Sequence, residues 1–158
     1  MRSAEIKFDG AILERGFWLY LIVIGAPSGR VLYIGRTGDS SSANAASPFS
    51  RIGQHLDFRE NAKGNALARN LRTAGIEPSS SSFRLIAVGP LFPEQSSFEK
   101  HKQPRDCLAA LERDLASELR RRGHTVVGIH HSNAAAQPDL LASVLAELEV
   151  QVPELRAV

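Results

Sequence analysis

A chain of 158 residues, 43% hydrophobic and 23% charged, can bury one core but is too short for two independent ones, so a single domain over 1–158 is expected. The lone cysteine, Cys107, excludes an intrachain disulfide and a cysteine-rich zinc site. The N-terminal MRSAEIKFDG lacks the apolar centre of a signal peptide, and the longest strongly apolar run, 17–24, is less than half of the roughly 20 residues a membrane span needs. A cytoplasmic protein without a membrane partner is therefore expected. A formal net charge of +2 permits a polyanionic partner without demanding one, and the placement of the basic residues has to decide.

In chain order, FWLYLIVI at 17–24 is short, aromatic, β-branched and apolar on both faces, which predicts a central strand. GAPSGR reads as a turn and VLYIG at 31–35 as the returning strand. If Ile24 pairs with Val31, Ile22 faces Tyr33 and Tyr20 lies diagonally from Tyr33 on the same face, whereas a one-residue slip would separate the tyrosines. Residues 38–49 are small and polar, the pattern of a mobile loop. A short helix is expected from about Pro48 to Glu60, capped by Ser47 or Ser50, with Arg51 and His55 one turn apart. A second, over 62–74, turns Leu67 and Leu71 inward, ends at Gly75 and puts Arg69 and Arg72 on another face.

SFRLIAVGPL at 82–91 predicts a third strand, and FPEQSSFEKHKQP a connection. The strongest helical pattern runs over 105–122, through Leu108, Leu111, Leu115 and Leu119. TVVGIHH is a short strand or an extended segment, and a terminal helix carries Leu141, Val144, Leu145 and Leu148. The order gives an α+β fold: a small, mostly antiparallel sheet of about three strands flanked by helices, with a core over about 17–133 and a helical extension over 134–158.

This order can gather Tyr20, Tyr33, Arg51, His55 and Glu112. Phosphodiester hydrolysis needs an activated water, positive charge on the non-bridging oxygens and usually a divalent metal on a carboxylate. A phenol can take the water's proton, Arg51 can bind phosphate oxygens, and Glu112 can hold Mg²⁺ or Mn²⁺ with water completing the shell. At about 100° per residue Glu112 falls within the leucine stripe of its helix, where a carboxylate has to be offset by a partner or a metal. Each residue also has a plain structural role: packing for the tyrosines, a solvated helix face for Arg51 and His55, and an ion pair with a core arginine for Glu112. His124, His130 and His131 read as surface residues.

The run Trp18-Leu19-Tyr20, the turn, Tyr33-Ile34-Gly35, the helix with Arg51 and His55 and the leucine-rich helix with Glu112 together resemble the GIY-YIG nuclease superfamily over 17 to about 133. Trp18 and Leu19 depart from the glycine and isoleucine of the motif. The resemblance implies a metal-dependent DNA endonuclease with Tyr20, Tyr33, Arg51, His55 and Glu112 in the active site and Glu112 on the metal. It also implies a basic residue after the second motif, Arg36, and an asparagine after the glutamate helix, Asn133, for which Asn70, His130 and His131 are competing polar groups. Because an ordinary phenol titrates near pH ~10, the base needs a neighbouring cation or metal, and Arg36 and Arg51 are the candidates. Tyr20 is the first choice for the base. Arg30, Arg36, Arg51, Arg59, Lys63, Arg69 and Arg72, on the hairpin and the two central helices, are expected to border one cleft that follows a phosphate backbone, with Arg36, Arg69 and Arg72 as phosphate contacts. Two further possibilities are a non-catalytic DNA- or RNA-binding module and a protein-interaction domain using the terminal helix. DNA is the expected partner, with a homodimer or a separate specificity subunit as a possible accompaniment.

Overall fold

A hairpin forms the centre of the computed structural model, which describes residues 1, 3–40, 42–59 and 61–156. Strand β1 (Phe17–Ala26) turns back through Pro27 and Ser28 into β2 (Gly29–Arg36), both longer than predicted. Ile24 pairs with Val31 and Ile22 with Tyr33, which is the expected register, and Tyr20 stands opposite Gly35. Helices α1 (Pro48–His55) and α2 (Ala66–Thr73), strand β3 (Ser82–Phe92), helix α3 (Phe98–Arg121), strand β4 (Val126–Val127) and helix α4 (Pro138–Gln151) follow. The strand order is β3-β1-β2-β4; β1 is antiparallel to both neighbours, and β4 runs parallel to β2. The result is an α+β fold with a mixed four-stranded sheet. The fourth strand adds to the roughly three expected, and only two residues pair because the chain turns away at Gly128, where φ is +96°.

Both faces of the hairpin are covered, as its unbroken apolarity requires. Phe17, Leu19, Leu21, Leu32 and Ile34 share one core with Leu108, Leu111, Leu115 and Leu119 of α3 and Val144, Leu145 and Leu148 of α4. Tyr20, Ile22, Ile24, Val31 and Tyr33 point the other way, against Leu67 and Leu71 of α2 and Ile52 of α1. The terminal helix is thus part of the principal core.

Three helix boundaries differ substantially from the sequence reading. Helix α1 stops at His55, whereas 62–65 is not yet helical and Asn65 uses its side-chain amide on the Asp57 carbonyl. Helix α3 begins at Phe98, well before the expected 105 and through Pro104. The proline reads as a stop because it lacks an N–H and crowds the preceding turn. Burial of His101, whose ring lies between the carbonyl oxygens of Gly38 (2.8 Å) and Ala43 (3.0 Å), anchors that first part of the helix. The same contacts hold Gly38 and Ala43 of the small, polar segment against α3, and Glu94 takes the Ala45 N–H at 2.8 Å. No helix among the described residues is long and apolar enough to cross a membrane.

Candidate active site

Tyr20, Tyr33, Arg36, Arg51, His55 and Glu112 line one cleft of about 170 Å³ at the end of β2. The hairpin register places both phenols on the α1/α2 face. Pro48 in the first turn of α1 and the Ser47 hydroxyl accepting the Ser50 N–H set where that helix starts, and hence where Arg51 and His55 project. Glu112 comes from α3, on the other face, and meets Arg36 as that strand ends.

The two phenols differ. Tyr20 Oη lies 2.5 Å from His55 Nε2. Burial pushes the Tyr20 phenol well above its ordinary range, with the Tyr33 phenol adding to the effect and Arg51 opposing it. Burial and the Arg51 charge lower His55 to about 4. With the phenol protonated and the imidazole neutral, Tyr20 O–H donates to His55 Nε2 when the ring proton sits on Nδ1, the tautomer that the nearby Gly64 backbone favours. His55 Nδ1 is buried without a hydrogen-bond partner among the described residues, the Gly64 backbone approaching it outside bonding geometry. Tyr33, 5% exposed, is also raised, by burial first and then by Glu112, and its hydroxyl makes no hydrogen bond to the described residues. The expectation that Arg36 and Arg51 bring a phenol down toward neutral pH is therefore corrected: desolvation outweighs the attraction of Arg51, and Arg36 is engaged with Glu112.

Gly35, the last residue of the predicted strand, makes room for a neighbouring ring. It remains paired within β2, and a Cβ there would stand 2.5 Å from Tyr20 Cε2 and 2.6 Å from Tyr20 Oη. The missing side chain is the space the Tyr20 ring occupies.

Two ion pairs balance the cleft. Arg36 Nε donates to Glu112 Oε2 at 2.8 Å, with 19% of each side chain exposed. Arg51 donates to Asp39 Oδ2 at 2.7 Å and to Gln54 at 3.0 Å, leaving its buried Nε without a partner. Burial raises the Glu112 carboxyl above its usual range despite Arg36. The core-arginine partner weighed from sequence as the alternative for Glu112 is therefore present as Arg36.

Among the described residues no group of three or more His, Cys, Asp and Glu side chains is placed to hold a metal. Magnesium, however, is commonly bound by one or two carboxylates with water and substrate phosphates. Glu112, whose Oε1 makes no hydrogen bond to the described residues, and Asp39 line the same cleft and fit that donor chemistry.

The remaining predicted residues lie apart. Arg69 is exposed, and its charge reaches Tyr33. Arg72 points to the Phe58 carbonyl and ring, at a different surface depression. Asn133 is exposed on a segment that Arg113 holds through the Ser132 and Ala134 carbonyls, and it does not line the cleft. Asn70 and His130 do. His130, expected at the surface, donates Nε2–H to the Ile34 carbonyl at 3.2 Å, and burial lowers its pKa. Asp39, missed in the sequence, sits in the small-residue loop that gave no periodic signal.

No protein-family model, curated protein or solved structure matches this chain.

Proposed function

We propose that the protein is a metal-dependent DNA endonuclease of the GIY-YIG type, hydrolysing phosphodiester bonds in this cleft. The observation that carries the reading is the convergence of two phenols, two arginines, a neutral histidine and a buried glutamate on one cleft of about 170 Å³. Arg36 and Arg51 supply positive charge for the non-bridging oxygens, the interaction that most lowers the barrier when donors are already in place. The free Tyr33 hydroxyl is a further donor to a phosphate oxygen. Tyr20 and His55 act as a relay: the attacking water gives a proton to Tyr20 Oη as Oη passes its own to His55 Nε2. The phosphorus bond to the leaving oxygen then breaks, and that oxygen takes a proton from solvent. The relay exchanges a buried phenolate, which the raised Tyr20 pKa makes costly, for an imidazolium on His55, which burial also disfavours and which the charge of the bound phosphate would offset. Glu112, with Asp39, would hold Mg²⁺ or Mn²⁺, which when bound stabilises charge on the phosphate and leaving oxygen.

The Arg36–Glu112 pair favours a second reading, a non-catalytic DNA- or RNA-binding module on the same fold, because a paired glutamate has a structural use. A supercoiled-plasmid assay with Mg²⁺, Mn²⁺ or EDTA separates the two. The endonuclease reading expects nicking or linearisation that EDTA and Glu112→Gln abolish. Salt-sensitive DNA binding with no cleavage in either metal supports the module instead.

A further inference from the structure

The cleft is too small for a nucleoside. Its volume of about 170 Å³ lies below the roughly 300 Å³ at which pockets for drug-sized ligands begin. A phosphate held there leaves its flanking sugars and bases outside, against the rim. One part of that rim is Gly128-Ile129-His130, and among the lining residues Ile129 is the large aliphatic side chain, 81% exposed.

Single exposed hydrophobic residues are common on protein surfaces. Two features distinguish Ile129. It stands at the wall of the phosphate-sized cleft, and its backbone is held on both sides. Arg120 donates to the carbonyls of Val126 (3.3 Å) and Gly128 (2.8 Å), and His130 donates to Ile34 across the strand. Gly128 is left-handed, with φ at +96°, and a Cβ there would come within 2.9 Å of Asn70 Nδ2. The loop therefore presents an exposed apolar side chain at the cleft wall from a backbone held in place. Isoleucine has no donor or acceptor with which to read a base edge. It can only press against a base face or sugar, as the apolar wedges of DNA-bending proteins do when they unstack a step.

We propose that Ile129 is a wedge against the base step adjoining the scissile phosphate, so that the preferred substrate is DNA that is unstacked, or easily unstacked, at the cut. Bulges, mismatches and flexible pyrimidine–purine steps fit this description, and discrimination then comes from deformability instead of base-edge hydrogen bonds. This inference rests on the endonuclease reading.

The test compares cleavage of two duplexes of the same sequence, one intact and one with a single-nucleotide bulge, by wild type, Ile129→Ala and Ile129→Leu. Wild type is expected to cut both. Ile129→Ala should cut the bulged duplex within about twofold of wild type but the intact one about tenfold more slowly, because only the intact step still has to be unstacked. Ile129→Leu should stay near wild type on both. Equal slowing of both substrates by Ile129→Ala, or no slowing of either, overturns the wedge while leaving the nuclease in place. A wild-type protein that cuts neither duplex with Mg²⁺ or Mn²⁺ overturns the endonuclease reading and the wedge with it.

Discussion

Replacing Arg36 by methionine keeps most of the side chain's length and apolar stem but removes the cation that faces Glu112. Breaking a fully buried ion pair from one side costs about 3–5 kcal/mol, because the remaining charge stays buried without compensation. Both side chains here keep 19% of their exposure, so solvent recovers part of that loss, and about 2 kcal/mol is expected. The penalty also has a defined pH dependence. Burial already raises the Glu112 carboxyl above its unfolded value, and losing Arg36 removes the main opposing influence and raises it further. A group raised on folding contributes stability that is present below its unfolded pKa and lost as pH rises through its folded pKa. The deficit of Arg36→Met relative to wild type should therefore be largest at about pH 8 and shrink toward about pH 5. Urea unfolding at both values measures it through the midpoint, provided the slope is unchanged. Adding Glu112→Gln to Arg36→Met should recover more than half of the deficit at the higher pH. A deficit that is independent of pH, or one that the glutamine fails to relieve, would refute the account of Glu112 as a buried carboxylate held by Arg36.

Three further outcomes follow from the same geometry. Tyr20→Phe should reduce cleavage by about 10²- to 10⁴-fold while the fold persists, the range for loss of a positioned proton-transfer group, and wild-type cleavage would remove Tyr20 from the relay. Gly35→Ala drives a methyl into the Tyr20 ring and should cost about 1–3 kcal/mol along with most cleavage; a thermal midpoint equal to wild type would contradict the close approach. For His55, folding lowers the pKa from 6.5 to about 4, so its contribution to stability is present above 6.5 and lost as pH falls to about 4. That window is worth about 3 kcal/mol, and a denaturation series should show it in wild type and not in His55→Gln.

The hairpin and its register were legible because a period-two chain with a tight turn allows few pairings, and burial of both faces penalises any slip. Ile22 opposite Tyr33 thus put the two tyrosines on one face before any helix was placed. Glu112 was legible for a related reason: a carboxylate inside a leucine stripe is out of place unless something answers it. The partner that answers it was not legible, because Arg36 and Glu112 are far apart in the chain and meet only where the end of β2 passes α3. The part of α3 that precedes Pro104, the hold of His101 on Gly38 and Ala43 and the entry of Asp39 and Ile129 into the cleft are likewise non-local. Local propensity reads Pro104 as a stop, and burial of His101 overrides it. The protonation of the site also belongs to tertiary structure. Sequence proximity to arginines argued for an acidic phenol, whereas desolvation within the folded sheet keeps both tyrosines protonated and His55 neutral. Sequence by itself determined which chemical groups share a face, since alternation along a strand is a property of the backbone. Only the folded chain decided which of those groups pair and which stay free, because that depends on distances between segments that periodicity does not encode.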